Sequence, residues 1–254
     1  MENTPPSPRR AIERFHLGFL DLLGRRVEKR LFAVKGGCNL RFFFRSIRFS
    51  EDLDLDAWTV SPVTLQRQVN HVLASPPLLQ SLRAEGLSLG AVTEAKQTTT
   101  TQRWKVRLVG RGEEIPTRIE FSRRGHDGEA VLEAVDPTVL RVHRLGSILA
   151  PHYGLQDAFR QKMSAMAGRR EPQARDLFDL KLLLDQGARV PDVKAAREEA
   201  RQAVAVARTI SHEQFMGQVV PFLDPEWQEF WSAPRAWNDL RAAVLRALGG
   251  KEPS

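Results

Sequence analysis

Asp52, Asp54 and Asp56 alternate with Leu53 and Leu55 in "SEDLDLD". Successive strand side chains point to opposite faces, so any strand formed here carries three carboxylates on one face. A rise of roughly 3.3 Å per residue sets neighbouring acids about 7 Å apart. At that spacing Asp52 and Asp54 can converge on Mg²⁺ or Mn²⁺, hard cations that bridge protein carboxylates to substrate phosphates. Two such ions stabilise the attacking and leaving oxygens of a phosphoryl transfer. The bland reading is the wet face of an edge strand, but aspartate is a poor strand former, so three on one face need a reason. Asp52 and Asp54 are the expected metal pair. Asp56 stands at the end of the run and is expected to be a bystander at the start of a loop.

Ser50 shares this face, where it could bond a phosphate oxygen, orient a carboxylate or simply make a turn. A third metal ligand is expected from a neighbouring strand. Glu120, between Ile119 and Phe121 in "RIEFS", is the best candidate, though an exposed strand glutamate is common. Upstream, "LFAVKGGCNLRFFFR" reads as strand, Gly36-Gly37, helix. Without Cβ atoms the backbone can close on a phosphate, and free N–H groups at a helix start point toward it. The same pair could be no more than a tight turn.

A second constellation lies far down the chain. Lys162 and Asp176 are 14 residues apart, about 21 Å on one continuous helix. Gly168 and Pro172 argue against continuity. With "GRREPQ" as a turn, two antiparallel helices bring Lys162 and Asp176 to one level, with Asp179 one turn beyond. The plainer alternative is an amphipathic pair with Leu177, Phe178, Leu180 and Leu183 in the core.

The elements that must hold these groups are legible in outline. Apolar residues at helical spacing predict a helix over Arg9–Arg30, then a strand over Leu31–Val34 and a helix with Asn39 as its N-cap. Helices are expected after Pro62 and Pro77, strands over Thr98–Gly110 and Ile115–Arg124 with a hairpin at Gly110–Gly112, and a short strand near residues 129–135. Beyond about Val139 the pattern is helical throughout. Trp227, Phe230, Trp231 and Trp237 mostly read as core rather than as stacking platforms. The expected architecture is α+β: residues 1–137 a lobe with a mixed sheet and flanking helices, residues 138–254 an all-helical lobe contributing lysine and aspartate to a cleft.

Composition sets the frame. The 254 residues are 42% apolar and 27% charged, an ordinary globular balance. No apolar run reaches the length of a membrane span. The polar, proline-rich first eight residues are expected to be mobile and lack the apolar core of a secretory signal. A single cysteine, Cys38, excludes an internal disulfide and suits a cytoplasmic protein. Net charge is +7, which favours a polyanionic partner such as nucleic acid but specifies none.

Strand, Gly-Gly, helix and acid–hydrophobic–acid on the next strand resemble the polymerase-beta type of nucleotidyltransferase. The longer string "KGGCNLRFF...RFSEDLDL" resembles the AbiEii/AbiGii toxin family more closely, matching at Gly36, Gly37, Leu40 and Arg41, then Arg48, Ser50, Asp52, Asp54 and Leu55. Lys162, Ala165, Arg169, Arg175, Asp176, Asp179 and Leu180 match the second half of that family's signature. Cys38 departs from it, standing where a hydroxyl residue is usual. The resemblance implies an NTP-dependent, metal-dependent nucleotidyltransferase toxin with a cognate antitoxin. It implies catalytic roles for Ser50, Asp52, Asp54, Lys162 and Asp176. Nucleotide contacts are implied for Gly36, Gly37, Arg48, Ser50, Lys162 and Arg175, and metal contacts for Asp52 and Asp54, with Glu120 as the added third. Lys162 would neutralise phosphate charge, while Asp176 would position it or take a proton from the attacking hydroxyl. Arg169 and Arg175 would bind phosphate or pair with a nearby acid. The expected acceptor is RNA, at the 3′ end of tRNA. Phosphoryl or nucleotidyl transfer to a protein such as the antitoxin, and a non-catalytic nucleotide- or RNA-binding module, are the alternatives.

Overall fold

A computed structural model describes residues 6–124 and 128–250. The expected mobile segment at the N-terminus therefore lies, for residues 1–5, outside the described residues. Two compact units emerge. The first comprises residues 1–43 and 50–153, the second residues 44–49 and 154–254.

The first unit is built on one seven-stranded mixed sheet. Its strands are β1 (Phe32–Lys35), β2 (Asp52–Ala57), β3 (Leu87–Gln97), β4 (Thr101–Gly110), β5 (Glu113–Ser122), β6 (Ala130–Ala134) and β7 (Leu149–Tyr153), in the spatial order β3-β4-β5-β2-β1-β7-β6. β2 runs parallel to β5 and β1 parallel to β7, while the remaining pairs are antiparallel. The helices are α1 (Pro8–Leu23), α2 (Gly36–Phe43), α3 (Pro62–Leu73), α4 (Pro76–Arg83) and α5 (Pro137–Val142). α1, α3 and α5 open on side-chain caps from Ser7, Ser61 and Asp136, each followed by proline in the first turn, where its missing N–H is no loss.

Alternation decides the two faces of the sheet. Leu53, Leu55, Trp104, Ile119 and Phe121 point back into a core shared with Phe15 and Phe19 of α1, Leu65 and Val69 of α3 and Leu78 of α4. The Trp104 indole, fully buried, donates to Asn70 Oδ1 at 2.8 Å. The even-numbered residues of β2 and β5 take the other face. The β4–β5 connection is a two-residue turn whose residues, Arg111 and Gly112, have φ of 56° and 78°, the primed geometry that fits strand twist.

Several expectations change in detail. α1 ends at Leu23 rather than Arg30 because the chain turns at Gly24. α2 starts at Gly36 itself, so Asn39 is no N-cap. Buried inside the helix, it donates to the Tyr153 carbonyl and pairs with His152 Nδ1, both at 2.9 Å, which ties α2 to β7. Asp56 lies within β2 and is buried, not in a loop. Residue 137, the expected lobe boundary, opens α5 of the first unit, and β7 beyond it pairs with β1.

The second unit contains α6 (Leu155–Gly168), α7 (Ala174–Asp185), α8 (Lys194–Thr209), α9 (His212–Gln218), α10 (Pro225–Ser232) and α11 (Pro234–Ala247). Residues 44–49 join it by backbone bonds from Phe49 N–H to the Phe222 carbonyl and from Asp224 N–H to the Ile47 carbonyl. Its aromatic core gathers Phe178, Phe215, Trp231 and Trp237. Trp227 and Phe230, read with them as core, are instead 41% and 58% exposed on α10.

Candidate active site

Register assembles the front face of the first unit. Asp52 stands opposite Arg118, Asp54 opposite Glu120 on one side and Lys35 on the other, and Asp56 opposite Ser122. The Asp52 carboxylate accepts from the Arg118 guanidinium. Lys35 Nζ donates to Asp56 Oδ1 at 2.5 Å and the Tyr153 hydroxyl to Asp56 Oδ2 at 2.9 Å. Asp56 is thus an anchor between β2, β1 and β7, consistent with its exclusion from the metal pair. Asp52 and Asp54 remain half-buried and reachable.

Gly36 explains the glycine pair at this position. Its φ is +65°, and a Cβ there would sit 3.0 Å from Asp54 Oδ2. Glycine is thus needed twice, for the left-handed backbone and for the approach to the carboxylate. Gly36→Ala is expected to cost about 1–2 kcal/mol from the backbone conformation alone and to displace Asp54. Urea unfolding and transfer activity should therefore fall together in this variant.

The donor set suits a hard divalent cation held by two protein carboxylates with phosphate oxygens completing its shell. Glu120 does not extend it into a cage. Its Oε2 accepts from Arg103 Nε at 2.6 Å, and among the described residues no group of three His, Cys, Asp or Glu is placed to hold a metal. The register that brings Glu120 beside Asp54 also brings Arg103 beside Glu120, and the ion pair takes the carboxylate.

Beneath β2 lies a layer unforeseen in the sequence. The Asp52 carbonyl accepts from Ser50 Oγ at 2.9 Å and from Cys38 Sγ at 3.3 Å, while the Glu51 carbonyl accepts from Thr117 Oγ1 at 2.6 Å. His16, wholly buried on α1, joins the two supports, with Nε2 2.8 Å from Thr117 Oγ1 and Nδ1 3.5 Å from Cys38 Sγ. Ser50 accordingly acts on the backbone of the metal strand. Cys38 points inward, and burial pushes its thiol well up, so it holds β2 from below as a neutral group.

Burial holds the His16 imidazole down at about 3, so it is neutral in the folded protein across the ordinary pH range. Between the unfolded value near 6.5 and this lower one, the unfolded chain binds one more proton. Stability is expected to fall by about 1.4 kcal/mol per pH unit as pH drops through that window. Urea midpoints from pH 7 to 4 check this, and His16→Gln should flatten that part of the slope.

In the second unit, α6 and α7 are antiparallel as expected, and Lys162 meets both acids of α7. Its ammonium lies 2.7 Å from Asp179 Oδ2 and 3.4 Å from Asp176 Oδ1. Arg169 Nε stands 2.7 Å from Asp176 Oδ2, so this arginine pairs with an acid. Arg48 grips Asp179 through Nε and Nη2 at 2.8–3.1 Å. Both are buried, so the expected nucleotide contact from Arg48 gives way to a structural one. Burial alone would raise the Asp179 pKa, but Arg48 and Lys162 outweigh it and hold the carboxyl below its ordinary range. Arg175 is half-buried in the first turn of α7. The motif residue Arg41, in the first unit, bonds Glu13 Oε1 at 2.6 Å and so braces α2 against α1.

Reasoning from sequence missed Arg118, Thr117, His16 and the shared grip on Asp179. Arg118 was detectable, since it shares a strand face with Glu120. The contacts of His16 and Thr117 depend on which helix covers the back of the sheet.

The comparisons agree with this geometry. No curated protein sequence matches the chain. Among solved structures it is similar to JHP933 from Helicobacter pylori (16% identity, 96% of this chain and 95% of that one, TM-score 0.57). It also resembles MenT4, a nucleotidyltransferase toxin from Mycobacterium tuberculosis H37Rv (19% identity, 94% and 92%, TM-score 0.52). At such identities the likeness establishes the fold, an α+β nucleotidyltransferase fold. The family model described as "Nucleotidyl transferase AbiEii toxin, Type IV TA system" matches residues 19–248, and the chain accordingly belongs to the AbiEii family of nucleotidyltransferase toxins.

Proposed function

We propose that this toxin transfers a nucleotide from an NTP to the 3′-hydroxyl of an RNA, with tRNA as the acceptor and translation as the process blocked. The observation that carries the reading is the pairing of Asp52 and Asp54 on one face of β2 with Gly36 pressed edge-on against Asp54. The acceptor oxygen would attack the α-phosphate, a new P–O bond forming as the bond to the β-phosphate breaks and pyrophosphate leaves. Asp52 and Asp54 would hold Mg²⁺ or Mn²⁺, which would supply charge stabilisation to the oxygens of that displacement. Gly36 and Gly37, at the start of α2, would let backbone N–H groups approach the triphosphate. Ser50 and Cys38 would fix the backbone that carries Asp52, while Arg118 would keep that carboxylate ionised and oriented.

Lys162 would supply positive charge to the triphosphate or to the transition state, as cationic groups do in phosphoryl transfer. Asp176 and Asp179 support this assignment by holding its ammonium in place. Arg175 remains a candidate phosphate contact. Net charge of +7 favours an RNA acceptor, and membership of a toxin–antitoxin family supports a cognate antitoxin as partner. No described helix is long and apolar enough to cross a membrane.

The test is incubation with NTPs labelled at either the α- or the γ-phosphate, offering total tRNA and the antitoxin side by side. α-Label on RNA that is lost in Asp52→Asn and Lys162→Met is the expected result. γ-Label on protein would replace this reading with phosphorylation of the antitoxin, and NTP binding without any transfer would make the fold a binding module.

A further inference from the structure

The back of the first unit holds a site that the catalytic face does not use. α1, α4 and the 145–148 loop enclose a cavity of about 250 Å³ whose lining includes Arg14, Arg25, Ser81, Ser147, Leu78 and Ile148. α1 packs on the sheet face opposite Asp52 and Asp54, as the bond between His16 and Thr117 requires. The polar end of the cavity is therefore separated from the metal pair by the sheet itself.

Arg14 is the feature that demands a reason. It is only 8% exposed, and Nη2 donates to Ser81 Oγ at 2.6 Å. Its Nε and Nη1 are buried and meet no hydrogen-bond acceptor among the described residues. Glu85 attracts it electrostatically without bonding to it. A guanidinium removed from water with two donors unmatched is strongly unfavourable, and buried donors in native folds generally have acceptors. The other cation of the lining, Arg25, is engaged by Asp21 at 2.7 Å.

We propose that this cavity binds a small oxyanion, phosphate or carboxylate in class, whose oxygens accept from the Arg14 guanidinium and the Ser81 or Ser147 hydroxyls while its body rests on Leu78 and Ile148. The planar guanidinium is suited to such oxygens. A ligand here would act on α1, the helix that also carries His16 beneath the metal strand. The toxin's stability would thus depend on an anion bound away from the reaction.

The test uses the full chain in metal-free buffer at constant ionic strength, with thermal unfolding followed against rising inorganic phosphate and, separately, malonate. The wild type is expected to show a saturating rise in midpoint with at least one of them. Saturation by phosphate alone identifies a phosphate ligand, and by malonate alone a carboxylate. Arg14→Met should retain only the shallow, non-saturating rise that excluded anions give any protein, and without anion it should be no less stable than the wild type. Gly146→Phe provides a second arm should Arg14→Met not fold. Gly146 lines the cavity with open space around it, so the ring should fill the site without touching Arg14, and the saturating component should again vanish. Identical non-saturating curves for all three proteins would overturn the proposal.

Discussion

Asp54→Asn is expected to lower nucleotide transfer roughly 10³-fold, the upper range for removing one preorganised electrostatic stabiliser, with thermal stability unchanged or raised. Asparagine keeps the shape and the contact with Gly36 but loses the charge that binds a cation. Stability should not suffer, because the front of β2 bears three carboxylates and removing one relieves repulsion. Asp52→Asn should lose activity to a similar extent, though it also leaves Arg118 without its partner. Asp56→Asn should behave oppositely. Its carboxylate is committed to Lys35 and Tyr153, so stability falls while the chemistry retains its two carboxylates. Labelled-NTP kinetics beside thermal unfolding of the three variants separate these roles.

The largest stability effect is expected from Asp179→Ala, at about 3–5 kcal/mol. Asp179 is fully buried and balances both Arg48 and Lys162. Removing it leaves a buried guanidinium and a nearly buried ammonium with half of their compensation. Because the folded pKa of Asp179 is depressed, its contribution is complete above the ordinary aspartate range and disappears as pH falls through the lower folded value. Urea unfolding at pH 7 should show the full loss, and the gap between variant and wild type should narrow in strong acid. Lys162→Met should cost less stability, since Asp179 keeps Arg48, and its effect should appear mainly in activity.

Chemistry-bearing residues were legible from the sequence wherever they lie close together in it. Alternation in "DLDLD" established the β2 face, and the turn residues Gly168 and Pro172 established that Lys162 and Asp176 meet. Two strands escaped notice for physical reasons. β3 is an exposed edge strand interrupted by Gly90 and register shifts, so it lacks the inward alternation that marks a strand. β7 is five residues long and contains Pro151, and its partner β1 lies more than a hundred residues earlier. Long-range pairing also explains the error over Glu120. A glutamate between two inward apolar residues looks like a ligand until the neighbouring strand places Arg103 against it. The buried support of Cys38, His16 and Thr117 is invisible for the same reason, since its members come from three separate elements.

The central claim is that a nucleotide is joined to an RNA hydroxyl by chemistry seated on Asp52 and Asp54. It is tested most directly by offering α-labelled NTPs to intact tRNA and to tRNA whose 3′-terminal ribose has been oxidised by periodate. The account predicts label on intact tRNA only, released pyrophosphate in equal amount, and neither with Asp54→Asn. Equal labelling of both RNAs, or transfer that survives Asp54→Asn in a folded protein, would contradict it.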